Sequence, residues 1–202
     1  MYVKKKIKVE KVGTPVMLNQ KWEITFPDGC GAPEKITLPK LFSLHKHEDE
    51  GVKYFSGTAT YMTDFVIKAS ILSDEKVVFL DLGAVEVMAE VIVNGGNKGI
   101  LWARPYSIDV TDVLKPGKNT LEIKVTNQWT NRLIGDEQLP EENEYVPGGG
   151  INGIAALSRG AIKKLPDWYK NGVNKPKGGR VAFTTWKHYR KDSPLLESGL
   201  IG

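Results

Sequence analysis

Two segments of this chain concentrate side chains suited to recognising small polar ligands. Gly99 to Tyr106 contains Trp102, Arg104 and Tyr106, and Asn127 to Glu137 contains Trp129, Asn131, Arg132, Asp136 and Glu137. Flat aromatic faces pack on the C–H surfaces of sugars, and planar Asn, Asp and Arg groups form paired bonds with adjacent hydroxyls. A mostly apolar pocket with a few placed polar groups has this composition, and loops at strand ends are where it belongs. Each segment also has a structural reading that stays open. Trp102 and Tyr106 would cover one end of a core, and Arg132 would pair with Asp136 or Glu137 to order a loop.

Acid–base hydrolysis of a glycosidic bond needs two carboxylates at a defined separation. Asp81, Asp109, Asp112, Asp136, Glu137, Glu141 and Glu142 are the candidates. Sequence alone does not show that separation. Asp109-Val-Thr-Asp112 has the composition of a local backbone tie, and Asp136 is flanked by groups that favour its charged form, so no catalytic residue is assigned. His45 and His47 stand at i, i+2, on one face if the segment is a strand, but Glu48-Asp49-Glu50 follows and favours a solvated loop over a metal site. His188 is remote from both, and there is no HExxH pattern. A structural calcium ion held by carbonyls and Asp side chains is compatible with a sandwich, with no ligands assignable, and no other cofactor is expected. The lone Cys30, within Pro27 to Gly31, excludes a disulfide framework and reads as part of a turn.

The elements that must position these residues have a period of two. Leu121, Ile123 and Val125 alternate with Glu122, Lys124 and Thr126, the pattern of a half-buried antiparallel strand. Tyr61 and Phe65 share a face of a second strand, and a third runs from Val87 to Val93. Val77 to Leu82 is apolar on both faces and is expected to lie centrally. Tyr61, Phe65, Phe79, Leu121, Ile123 and Val125 are therefore expected in the core. Asn94-Gly95-Gly96-Asn97 and Lys115-Pro116-Gly117 have the chemistry of hairpin turns. Pro166 to Gly172 fits one short helix, and at most one or two short helices are expected. Short strands without βα alternation predict an all-β protein, an antiparallel β-sandwich or jelly roll with long irregular loops. Residues 1–20 read as a leading strand or linker and 21–202 as the sandwich. Within it the core covers 52–130, a loop excursion 131–179 and a closing strand 180–189.

Composition narrows the class. An apolar fraction of 41% with 26% charged residues is ordinary for a globular protein. The net charge of +4 is not clustered with aromatics. Lys4, Lys5 and Lys6 alternate into Ile7, Val9 and Val12 as an edge strand would, so nucleic acid is not an expected partner. No apolar stretch approaches the roughly 20 residues that cross a bilayer, and the first residues lack the apolar core of a secretory signal.

The order of several pieces resembles a known domain. Ser56 to Tyr61, Leu80 to Gly83, Glu90 to Gly95 followed by Gly99 to Trp102, Pro105 to Thr111, and Gly117 to Leu121 look like the galactose-binding-like sugar-binding domain of family 2 glycoside hydrolases, over roughly residues 52–130. Asn127 to Pro140, Leu165 to Trp168, Phe183 to Trp186 and Pro194 to Leu200 resemble the C-terminal region of the family 106 α-L-rhamnosidases and extend the match over most of 20–202. In that family an upstream barrel runs an inverting two-carboxylate hydrolysis, and its catalytic residues transfer to no position here. The resemblance implies a non-catalytic carbohydrate-binding or accessory module. Its partners would be carbohydrate, including rhamnose-containing glycans, and the catalytic domain of a parent hydrolase. That parent would be periplasmic or secreted, and the apolar run ending at Gly202 fits a segment of it. A hydrolase active in its own right and an interaction module without sugar affinity are the rival readings.

Overall fold

The computed structural model describes residues 13–73, 76–146, 158–176 and 178–202. In chain order the strands are β1 (Trp22–Thr25), β2 (Lys35–Leu38), β3 (Thr58–Ile67), β4 (Phe79–Asp81), β5 (Val85–Glu86), β6 (Met88–Val93), β7 (Gly96–Leu101), β8 (Ser107–Asp109), β9 (Gly117–Thr126), β10 (Tyr145–Val146), β11 (Ala161–Ile162) and β12 (Gly199–Leu200). Six of them form one antiparallel sheet in the order β2-β1-β3-β9-β6-β7. The alternation seen in the sequence explains the pairing, because a strand with one apolar face buries it in only one register. Ile24, Tyr61, Ile123 and Val91 stand opposite one another across four neighbouring strands, all completely buried. Ala59, Val125 and Ala89 form a parallel buried row. The other face carries charge, with Glu90 opposite Lys124 and their side chains 3.4 Å apart.

The β6–β7 hairpin closes through Asn94 and Gly95, with φ of 51° and 80°. Two consecutive left-handed residues are what a tight two-residue hairpin requires, and Asn and Gly supply them at low cost. The Asn94 side chain then bonds Val113 O and Asn119 Oδ1, at 2.8 and 2.7 Å, and ties this turn to the start of β9.

A fragmentary second layer closes the core. Two-stranded pairs β4–β8 and β5–β12 contribute Leu82, Val85, Tyr106, Val110 and Leu200 directly or through flanking residues. Tyr61 links the layers, since its hydroxyl accepts the Leu200 amide at 3.2 Å. Burial pushes the ionisation of this phenol well above its ordinary range. Gly199 approaches so closely, at φ of 87°, that a Cβ there would overlap the Tyr61 oxygen.

Several sequence expectations need correction. Val77 to Leu82 is not a central strand. Only β4 forms, paired with β8 alone, and it turns Leu82 inward while leaving Phe79 62% exposed. An apolar run has no period to say that one of its faces is uncovered. Arg180 to Tyr189 is not a closing strand either; among the described residues its regular pairing is one bridge between Ser158 and Trp186. The amides of Arg180, Val181 and Ala182 are taken by carboxylates of Glu142 and Asp136 rather than by a strand ladder. The sheet also begins at β1, before the expected start of the core at residue 52. Of residues 1–20, expected as a leading strand or linker, 13–20 contain no strand and 1–12 lie outside the described residues. Three short α-helices occur among the described residues: α1 (Glu50–Lys53), α2 (Thr130–Asp136) and α3 (Asp167–Lys170). The third is the one that Pro166 and Gly172 mark, and α2 occupies what the sequence presents as a loop.

The central row and the outer face differ sharply in sensitivity. Ile123→Ala is expected to cost about 2–5 kcal/mol through lost contacts and a cavity. Met62→Ala, on the outward face next to Tyr61, should stay within about 0.5 kcal/mol. Urea denaturation of both variants, read by tryptophan fluorescence, measures the contrast.

Candidate functional site at one end of the sheet

The β3–β9 ladder ends at Thr58 opposite Thr126. Beyond it the chain is clasped rather than released. Asn127 Oδ1 accepts the Gly57 amide at 2.8 Å, Asn127 Nδ2 donates to Phe55 O at 2.9 Å, and Ser56 Oγ donates to Gln128 O at 2.7 Å. The Arg132 amide donates to the same Ser56 hydroxyl at 3.2 Å, which starts α2 directly over the strand end. Register shows what else gathers here. Leu101, the last residue of β7, pairs with Ala89 and through it with Val125, while Thr25, the last of β1, pairs with Thr60. Trp102, Trp129 and the β1–β2 turn therefore leave the sheet at one end.

The predicted residues divide between surface and interior. Trp102 and Trp129 are 73% and 57% exposed, and Arg104 is also exposed. Tyr106 is buried, with its hydroxyl donating to Val87 O at 3.1 Å, as the structural reading of its segment anticipates. Asn131 is buried and exchanges two hydrogen bonds with the Leu196 backbone, both 2.8 Å, pinning the C-terminal segment to α2. Asp136 is buried as well. Its oxygens accept the amides of Val181 at 2.9 Å and Ala182 at 2.6 Å, and Oδ1 lies 3.0 Å from Arg132 Nε. That last contact is an ion pair by distance but lacks hydrogen-bond alignment, leaving Nε unsatisfied. The Arg132 guanidinium lies 5.9 Å from the centre of the Tyr54 ring. This is the Arg132–Asp136 brace that the sequence left open as an alternative.

Glu137 and its neighbours form a second set of ion pairs, built with residues that sequence reasoning missed. Arg159, its side chain 2% exposed, bonds Glu137, Glu141 Oε2 at 2.7 Å and Trp186 O at 2.6 Å. Burial opposes its charge, but the hydrogen bonds to Glu141 and Glu137 outweigh that and hold the guanidinium above its usual range. Arg180 bonds Glu137 Oε1 at 3.0 Å together with the carbonyls of Leu139 and Pro140, each at 3.1 Å. Lys175 Nζ sits 2.6 Å from Glu142 Oε2. Arg159, Lys175 and Arg180 are 18 or more residues from their partners in sequence, with no motif to join them.

The remaining chemical candidates are similarly engaged. Asp81 accepts the Gly83 amide, Asp109 the amide and hydroxyl of Thr111, and Asp112 pairs with Lys98. The Thr111 hydroxyl and amide hold the Asp109 carboxyl below its ordinary range. His45 Nδ1 is 2.6 Å from Ser43 Oγ, and burial together with the Lys46 charge lowers its pKa. His47 Nδ1 accepts the Asp49 amide at 3.0 Å. Among the described residues no three His, Cys, Asp or Glu side chains are grouped to hold a metal ion. Cys30 donates to Pro27 O within the β1–β2 turn.

An open cleft of about 860 Å³ lies beside the brace. Its walls come from the β1–β2 turn, α1, α2, Lys175, Pro176 and Gly178 to Val181, with Arg132 in the lining. Gly135 lets α2 seat against Tyr54, where a Cβ would collide with the ring and with the Arg132 guanidinium.

Breaking the brace leaves a buried charge unpaired, a change that costs about 3–5 kcal/mol. Asp136→Ala is accordingly expected to lower stability by that amount, because Arg132 loses its counter-charge and the two amides lose their acceptor. Glu144→Ala, whose pair with Lys163 is exposed, should change it by less than about 1 kcal/mol. Thermal melts of the two variants test this.

The geometry can be set beside known proteins. The family model described as "Glycosyl hydrolase 2 galactose-binding domain-like" matches residues 41–170. A protein of Formosa agariphila named "Putative beta-glucuronidase" is 43% identical over 194 residues, covering 96% of this chain and 16% of its own length. The solved structure of a rhamnosidase from Novosphingobium sp. PP1Y superimposes with a TM-score of 0.72 at 34% identity, covering 97% of this chain and 15% of that one. The chain thus spans about a sixth of the length of these two relatives. Together, the antiparallel sheet closed by short strand pairs and the match over residues 41–170 show that this chain belongs to the galactose-binding domain-like family of glycosyl hydrolase 2.

Proposed function

We propose that the chain is a non-catalytic carbohydrate-binding module of a glycoside hydrolase, which positions glycan for a catalytic domain. The observation that carries this reading is the exposure of Trp102 and Trp129 at one end of the sheet, where Tyr106, Asn131 and Asp136 are buried and committed to internal bonds. Neither ring is needed to fill the core, and an exposed flat ring supplies a stacking face for a pyranose. The engagement of Asp136, Glu137, Glu141 and Glu142 by arginines, a lysine and amides favours binding over hydrolysis, because a general acid must be free to exchange a proton. The names of these relatives point to rhamnosides and glucuronides as sugars to test.

A docking role is favoured by a different surface. Tyr169 and Phe183 stack with centroids 5.8 Å apart beside Trp168 and remain 54% and 41% exposed. A catalytic domain is the partner this reading names.

Two results are expected of the isolated chain. Aryl rhamnosides and aryl glucuronides are not turned over above background. On a glycan array it retains rhamnose-containing oligosaccharides, and Trp102→Ala or Trp129→Ala weakens retention roughly two- to tenfold, the range of one aromatic contact, without lowering the melting temperature. Turnover that disappears with Asp136→Ala, or the absence of any glycan retention, would overturn the proposal.

A further inference from the structure

The Arg132 side chain is 94% buried, yet it is poorly provided with acceptors. Nε has only the misaligned contact with Asp136, and among the described residues neither Nη donates a hydrogen bond to a protein acceptor. A guanidinium carries five donors in a rigid planar fork, and burying them unused is costly. The fork is placed where something else can use it. Arg132 lines the 860 Å³ cleft, and its Nη1 would lie only 3.2 Å from a Cβ on Gly31, at the cleft wall. Gly31 and Gly135 flank the guanidinium, so any side chain at either position would crowd it. Both Nη groups therefore have access from the cleft and a backbone that stays out of their way.

Charge decides what kind of acceptor fits. Arg132 is already compensated by Asp136 at 3.0 Å. Among the described residues the cations along the cleft are already paired, Arg132 with Asp136, Lys175 with Glu142 at 2.6 Å and Arg180 with Glu137 at 3.0 Å, while Glu34 and Glu50 add carboxylates to the lining. A ligand carboxylate would meet Asp136 beside the fork and these acids along the cleft, and the repulsion would cancel much of the attraction to the fork. Adjacent hydroxyls meet no such opposition. They accept from the two Nη groups at fork spacing and can donate to the neighbouring carboxylates, as neutral sugars do.

We infer that this cleft is a binding subsite for a neutral pyranose, whose vicinal hydroxyl pair is held by the Nη fork of Arg132. The inference deepens the carbohydrate-binding reading and rests on it. It adds a site separate from the exposed Trp102 and Trp129 rings, with a preference for uncharged sugars.

The test is an NMR titration of the full chain, following the amides of Gly31, Gly135 and Gly179, with Trp102 and Trp129 indole signals in the same spectra. Methyl α-L-rhamnopyranoside is expected to shift the three glycine amides in a saturable way. Its 2,3-O-isopropylidene derivative, with the vicinal pair blocked, and sodium D-glucuronate should each bind at least tenfold more weakly. Arg132→Lys keeps the charge but loses the planar fork and should weaken the rhamnoside at least tenfold. Pro176→Trp, placed on the exposed rim, should obstruct the cleft without touching the brace, which protects the test if Arg132→Lys folds poorly. Shifts confined to the two tryptophans would overturn the cleft assignment while leaving the carbohydrate-binding reading intact. Glucuronate binding equal to or tighter than rhamnoside binding would overturn the neutral preference, and no shift with any of these sugars would remove both.

Discussion

The ten-residue pairing of β3 with β9 is the constraint on which the rest of the protein depends. It brings together segments about 60 residues apart, and each strand carries one apolar and one polar face, so slipping by one residue would turn a row of buried aliphatics into solvent. Its register decides where β1 and β6 attach on either side, because Ile24 must meet Tyr61 and Val91 must meet Ile123. It also decides where the candidate site lies. Once Thr58 stands opposite Thr126, Ser56 and Asn127 are close enough to clasp each other's backbone, and α2 begins over the strand end.

From there a second organising principle takes over. Apart from the short β10–β11 pair and β12, the described part of the stretch after α2 is held largely by ion pairs and amide-to-carboxylate bonds. Asp136, Glu137, Glu141 and Glu142 collect Arg132, Arg159, Arg180, Lys175 and three backbone amides. Interactions of this kind are directional and demand satisfied partners, so they specify a geometry more than they contribute net stability. The arrangement has a functional corollary. It engages four of the carboxylates that were candidates for acid–base chemistry and leaves the Trp102 and Trp129 rings exposed at that end of the domain.

The sequence determined a good deal by itself. The period-two segments identify β3, β6 and β9 and their inward faces, because alternation is a local property that any register of a one-sided sheet must respect. Asn94-Gly95 marks its hairpin and Pro166 with Gly172 marks α3, since both rest on the φ preferences of single residues. The family resemblance was legible for a related reason: it resides in the spacing of strands and turns. Tertiary structure alone decided the rest. Phe79 and Trp102 are equally apolar in composition, and only the incomplete second layer shows that both face outward. Arg132 and Asp136 have the same residue types whether they grip a ligand or each other. Their buried pairing, the distant Arg159, Lys175 and Arg180, and the cleft against which the Arg132 fork lies all arise from contacts across tens of residues, and such contacts leave no periodic trace in the chain.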